Sequence, residues 1–144
     1  MRHLTKLALK TLDALTFWLP SVSSEREHIK TGRRGEEAAY FYLRQIGYTI
    51  VARNWRGSGR RGEVDLVGWD AGTLCFIEVK TRGERGLIPA EAAVDTAKRD
   101  ELAGMAGLYR KKISSSTPYR FDIVTVYLGP PMEIELMKDA FKPR

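Results

Sequence analysis

The stretch Gly62-Glu63-Val64-Asp65-Leu66-Val67-Gly68-Trp69-Asp70-Ala71-Gly72-Thr73-Leu74-Cys75-Phe76-Ile77-Glu78-Val79-Lys80-Thr81 decides how the rest of the chain is read. Two β-forming runs, Glu63 to Trp69 and Thr73 to Thr81, flank a turn signal at Asp70-Ala71-Gly72, which predicts a hairpin. Alternate side chains of a strand share a face, so Glu63 points with Asp65, and Glu78 with Lys80. If Ala71 and Gly72 form the loop, Asp70 sits opposite Thr73, Asp65 opposite Glu78, and Glu63 opposite Lys80. Directly opposed side chains lie on one face with Cβ atoms about 5 Å apart. An odd-length loop or a bulge would break that facing.

The acids interrupt runs that otherwise look like inner strands: Val64-Asp65-Leu66-Val67 and Phe76-Ile77-Glu78-Val79-Lys80. Clustered carboxylates repel one another and are costly to bury unless a cation or a proton neutralises them. Hard divalent cations such as Mg²⁺ prefer carboxylate oxygens. The bland alternative is a solvated strand face with a Glu63–Lys80 pair and two spare acids.

Working outward, Ala39, Leu43 and Ile46, with Tyr42 beside them, form one helical stripe that Gly47 is placed to stop. Glu36 borders that stripe, whereas Glu37 falls toward solvent. Tyr48 to Arg53 reads as a strand, and Arg56-Gly57-Ser58-Gly59-Arg60-Arg61-Gly62 as a flexible basic loop. Thr96 to Lys112 predicts a second helix. Lys98 sits on its apolar face in line with Leu102, Met105 and Tyr109, placed either to snorkel to water or to reach a bound phosphate. Tyr119 to Leu128 is strongly β-forming, and Met132 to Leu136 predicts an edge strand.

Residues 1–30 read differently. Leu4, Leu7, Ala8, Leu12 and Leu15 recur at helical spacing, and Ser21 to Ser24 reads as a linker. Lys10 and Asp13 interrupt the apolar run, which argues against an export signal and against a spanning helix. This N-terminal helical extension is expected to contact the domain, a partner or a membrane surface. The body, 31–144, is then one α/β domain.

The formal net charge of +6 favours an anionic partner, most simply nucleic acid. From Lys30 to Arg61 eight Lys and Arg residues stand against two acids, so the basicity belongs to the folded body. The single cysteine, Cys75, excludes an intrachain disulfide and any multi-cysteine metal site, which suits a reducing compartment, the cytoplasm. It reads as a buried small hydrophobe. The two histidines, His3 and His28, lie far from the acids and carry no assigned role.

Five ordered blocks resemble a widespread bacterial family of small, functionally uncharacterised proteins with the restriction-endonuclease-like, PD-(D/E)xK fold, related to archaeal Holliday-junction resolvases. They are Gly32-Arg33-Arg34-Gly35-Glu36; Gly62-Glu63-Val64-Asp65-Leu66; Phe76-Ile77-Glu78-Val79-Lys80-Thr81-Arg82; Ala90-Glu91-Ala92-Ala93-Val94 with Lys98; and Arg120-Phe121-Asp122-Ile123-Val124. The resemblance spans Thr31 to Leu136, and Asp139-Ala140-Phe141 is similar to the family's ending. It implies a mixed central sheet flanked by helices. It implies that Asp65 is the principal metal-bridging carboxylate and Glu78 the second ligand, with the Val79 carbonyl third and Glu36 joining directly or through water. Lys80 would orient or help deprotonate the attacking water. Glu63 stands where the fold's signature has a proline, which speaks against a catalytic part for it.

On that reading the protein is a Mg²⁺- or Mn²⁺-dependent endonuclease for branched or flapped DNA in repair or recombination. Arg33, Arg34, Arg53, Arg56, Arg60, Arg61, Arg82 and Lys98 would track the phosphate backbone, by shape rather than by base reading. A homodimer follows by analogy, because a four-way junction needs two cuts. Two other readings remain: a nucleic-acid-binding module of the same fold that cleaves little or not at all, and an interaction or membrane-surface protein organised by residues 1–30.

Overall fold

The hairpin forms as its turn dictates. Ala71 and Gly72 both take positive φ, 47° and 86°, which is the twist-matched geometry of two-residue hairpin loops. Strands β2 (Val64–Asp70) and β3 (Thr73–Arg82) pair antiparallel from Asp70↔Thr73 to Leu66↔Ile77. The computed structural model that contains them describes residues 22–83 and 94–143. The helix expected within 4–20, and the block Ala90-Glu91-Ala92-Ala93, lie outside the described residues.

The chain divides into two compact units, Met1–Gly32 and Arg33–Arg144. Helix α1 (Val22–Gln45) begins in the first, so the linker expected at 21–24 is helical from Val22 onward. Serines followed by an acid, here Glu25 in the first turn, are helix-starting residues as much as linker residues. Within the first unit the Thr31 hydroxyl donates to the Glu27 carbonyl at 2.7 Å, and Ile29 is exposed.

In the second unit the sheet runs in the order β1-β2-β3-β4-β5, with β1 (Thr49–Trp55), β4 (Tyr119–Tyr127) and β5 (Glu133–Phe141). All neighbours are antiparallel except β3 and β4. That parallel pair needs a crossover, and helix α2 (Thr96–Arg110) lies within it. The Asp95 side chain caps α2 by accepting from the Lys98 N–H at 2.9 Å. The edge strand expected at 132–136 is the longer β5.

Strand alternation sorts the core into two faces. Leu74, Phe76, Phe121 and Ile123 pack with Leu102, Met105 and Ala106 of α2. Cys75, Ile77, Val79, Leu66, Val124 and Val126 pack with Ala39 and Leu43 of α1. Each such large side chain contributes about 1.5–3 kcal/mol by leaving water. Helical spacing puts Ile46 in the α1 stripe, but it is exposed, because α1 stops one residue before it. The Tyr48 N–H bonds the Leu43 carbonyl and the Gly47 N–H the Arg44 carbonyl, with Gly47 at φ 106°. That is a Schellman closure, in which Tyr48 folds back onto Leu43 and takes the core place that spacing gives to Ile46.

A buried ionic network ties the α1–β1 junction, β4, β5 and the hairpin turn together on the α1 side. Asp122, fully buried, accepts from Arg120 Nε at 2.8 Å, from the Tyr48 hydroxyl at 3.0 Å and from the Asp139 N–H at 2.9 Å. Arg120 also bonds Asp70 at 2.6 Å, to which Lys138 adds a contact at 2.9 Å. Burial works against the Arg120 charge, but its bonds to Asp122 and Asp70 overcome this and hold its pKa above the usual range. Burial, followed by the charge of Asp122, raises the Tyr48 hydroxyl; the same two causes push the Cys75 thiol up to about 12. Cys75 is therefore an inert core residue.

Candidate functional site

The strands β2 and β3 part where the acids begin. Ladder pairing ends at Leu66↔Ile77, and Val64 pairs with Trp55 of β1 instead. Asp65 fills the opening: its carboxylate accepts the Val79 N–H at 2.7 Å. Val79 thus enters the site through its amide as well as its position between Glu78 and Lys80. Asp65 and Glu78 are 8% and 4% exposed, which makes them buried carboxylates rather than a solvated strand face.

Glu78 alternates with Ile77 and Val79 and so lies on the α2 side of the sheet. There Lys80 Nζ approaches its Oε1 at 3.2 Å, and Lys98 Nζ from α2 its Oε2 at 3.7 Å. Lys98 is held more closely by Glu101, at 2.9 Å. In this structure it bridges two acids. Burial would lower the Lys98 pKa, but the bond to Glu101 and the charge of Glu78 prevail and raise it. Glu78 Oε2 is buried with no hydrogen-bond partner among the described residues.

Glu36 arrives from α1, and its carboxylate, with those of Glu63 and Asp65, forms a group whose oxygens lie within 4.8 Å of one another. Close packing at Gly35 makes this approach geometrically feasible. A Cβ there would collide with the Thr81 hydroxyl and stand 2.9 Å from Thr81 Cβ. Alanine in a helix interior normally stabilises by about 0.5–1 kcal/mol relative to glycine. At Gly35 the sign should reverse, because overpacking against a β-branched neighbour costs about 1–3 kcal/mol. Gly35→Ala is expected to lower the melting temperature, and a thermal melt of the variant checks it.

Burial, then the charges of Asp65 and Glu63, raises the Glu36 pKa. Asp65 is pushed up to about 7, first by burial and then by the charge of Glu78; the Val79 N–H and Lys98 act in the opposite direction. These acids resist ionising together, as carboxylates do at a site suited to a cation.

Two expectations need correction. Glu63 does not face Lys80; it pairs with Arg56 at 2.9 Å, because the strands have already diverged at its level. Nor is Glu63 marginal to the site, since it stands in the Glu36–Asp65 cluster. The loop 56–63 is laid along α2: Gly57 meets Leu108, the Arg60 guanidinium covers Gly104, and Gly62 abuts Glu101. Those contacts fall on one stripe of α2, a periodicity that a loop's own sequence does not reveal.

The basic residues divide. Arg33, Arg34 and Arg61 are exposed, and Arg82 lies at the end of β3, half-buried. Arg56 and Arg60 are committed to Glu63 and α2, and Arg53 lies over the Tyr40 ring at 4.6 Å. Sequence reading misses Thr125, the register partner of Lys80 on β4, whose buried hydroxyl has no hydrogen-bond partner among the described residues. One threonine in a β-forming run gives no signal.

The model of an uncharacterised protein family, UPF0102, matches residues 35–126, which takes in every acid and lysine of this site. The chain belongs to the UPF0102 family. A UPF0102 protein of Koribacter versatilis is 55% identical over 142 residues, covering 98% of this chain and 96% of that protein. Relatives from Solibacter usitatus and Symbiobacterium thermophilum are 47% and 45% identical over 76% and 78% of the chain, and 84% and 96% of their own lengths. The Koribacter match therefore takes in the N-terminal segment that the family model leaves out. Among the described residues no helix is long and apolar enough to cross a membrane.

Proposed function

We propose that this UPF0102 protein is a metal-dependent, structure-selective DNA endonuclease with a restriction-endonuclease-like fold. The observation that carries the reading is the cluster of Glu36, Glu63 and Asp65 carboxylates, whose oxygens lie within 4.8 Å of one another, beside the buried Glu78 and its partner Lys80 where β2 and β3 part. Glu78 keeps a buried oxygen without a hydrogen bond among the described residues, and burial, then the charge of Glu78, pushes the Asp65 pKa up to about 7. All-oxygen donors suit Mg²⁺ or Mn²⁺.

Asp65, Glu36 and Glu63, whose oxygens lie within 4.8 Å of one another, would hold the ion, with Glu78 and the Val79 carbonyl beside them. A bound divalent ion would lower the pKa of water beside it and draw charge from the scissile phosphate. Lys80, tethered to Glu78, orients the attacking water and offsets the charge that grows on the phosphate. Lys98 and Glu101 keep Glu78 aimed. The exposed Arg33, Arg34 and Arg61 meet the phosphate backbone, so affinity should fall steeply with salt.

One observation favours the second reading, a binding module that does not cut. Lys80 and Lys98 both already neutralise Glu78. The two separate in a cleavage assay on four-way, flapped and plain duplex DNA with Mg²⁺, Mn²⁺ or EDTA. Cutting of branched DNA is expected only with metal, and Lys80→Ala should slow it by roughly 10²-fold or more while binding survives. Wild type that binds these substrates but never cuts them makes the module the better account.

A further inference from the structure

Tyr40 lies one helical turn beyond Glu36, about 6 Å along α1, and Arg44 one turn beyond Tyr40. The Tyr40 ring carries two guanidinium groups: Arg53 of β1 at 4.6 Å and Arg44 at 5.4 Å, the latter also donating to the Tyr40 hydroxyl at 3.3 Å. Phe41 stands edge-on to that ring at 5.2 Å and is 58% exposed. Two adjacent aromatic rings, one of them exposed, thus stand beside two cations. Glu36 and Glu37 are the acids on this stretch of helix, one turn before Tyr40 and Phe41 respectively. The patch adjoins the acidic site, since Arg53 and Arg33 both act on the Glu36 charge.

We infer that Tyr40 and Phe41, with Arg44 and Arg53, form a stacking platform for an unpaired strand of nucleic acid leading to the Glu36–Asp65 site. Aromatic rings need the flat face of a base, and in a duplex that face is hidden in the stack. The guanidinium groups supply the backbone contacts, because an exposed cation–π contact is weaker than a charge-assisted bond to phosphate. A strand arriving at the patch would draw Arg44 and Arg53 onto its phosphates and free the Tyr40 face for a base. The platform gives a physical basis for structure selectivity: branched or flapped substrates offer an unpaired strand, and plain duplex does not. The inference rests on the nucleic-acid reading of the site but does not require cleavage.

The test measures binding in EDTA, where nothing is cut, by fluorescence anisotropy. The probes are labelled oligodeoxyuridylate, oligouridylate and blunt duplex of equal length, and the two single strands report which sugar is accepted. Tyr40→Ala should weaken single-strand binding by roughly 10-fold and duplex binding by less than about twofold, with Tyr40→Phe close to wild type. Phe41→Ala, at an exposed position, should weaken single-strand binding several-fold without lowering the melting temperature, so a folding defect in Tyr40→Ala does not decide the matter. Single-strand affinity unchanged in both alanine variants, or duplex affinity falling equally, overturns the platform. Wild type that binds single strands through Tyr40 yet never cuts any substrate removes the endonuclease and leaves the platform standing.

Discussion

Asp65→Asn is expected to abolish metal-dependent cleavage, by roughly 10³-fold or more, and at the same time to make the protein more stable at pH 8. The two effects have one cause. Asn keeps the shape of Asp65 and an oxygen for the Val79 N–H, so the opening between β2 and β3 is preserved. It cannot ionise, which removes the repulsion from Glu78 and the cost of burying a charge. The same change discards the anionic ligand that the proposed ion requires.

The sign follows from linkage. The folded pKa of Asp65, about 7, lies above its ordinary value of 3.8, so between these limits the native state binds more protons than the unfolded chain. Without metal, wild type should therefore be stabilised at low pH by this group and lose that contribution as pH rises toward 7, with little change beyond. Lifting a carboxyl from 3.8 to about 7 corresponds to about 4 kcal/mol. Because Asp65 and Glu78 repel each other and share the effect, a gain of roughly 2–4 kcal/mol at pH 8 is expected for the variant. Near pH 4 the variant and wild type should melt together. Thermal melts in EDTA at both pH values check this, and a variant no more stable than wild type at pH 8 would show that Asp65 carries no buried charge to relieve. Adding Mg²⁺ should raise the wild-type melting temperature and leave that of the variant unmoved.

The hairpin is legible in the sequence because its register is local. Asp70, Ala71 and Gly72 set the turn, and the turn sets the pairing down to Leu66↔Ile77. What lies beyond that pair is not legible, since the separation of β2 from β3 depends on Val64 pairing with β1 and on Asp65 taking the Val79 N–H. Simple extrapolation of the ladder therefore gives Glu63 the wrong partner, Lys80, whereas Arg56 holds it. Lys98 stands out in the sequence as an anomaly on an apolar helix face, but its destination, between Glu78 and Glu101, depends on how α2 crosses the sheet. Ile46 and Tyr48 exchange roles for a similar reason. Periodicity counts turns of helix, while the Schellman closure at Gly47 decides which residue folds back onto the core. The acids themselves are readable because charged residues inside β-forming runs are rare enough to need an explanation.

Asp122→Ala should destabilise the fold more than any loss at the acidic site, and it should leave the chemistry intact. Asp122 belongs to a sequence block shared in the family resemblance, which invites a catalytic reading, but it alternates with Phe121 and Ile123 and so lies on the opposite side of the sheet from Glu78. Its removal would take the acceptor from the Tyr48 hydroxyl, which would keep only the bond it accepts from Arg120, would strand the Asp139 N–H, and would leave Arg120, 17% exposed at its side chain, with Asp70 as its remaining carboxylate. Breaking a buried ion pair from one side costs about 3–5 kcal/mol, much of it the penalty on the partner left behind. Tyr48 also closes α1 and Asp139 sits in β5 at φ 54°, so the loss should loosen both the helix end and the sheet edge. A melting temperature lower by roughly ten degrees is expected, with cleavage of branched DNA within about twofold of wild type when assayed well below the transition. A variant that melts normally but no longer cuts would place Asp122 in the reaction and undo the separation between the two sides of the sheet on which the site assignment depends.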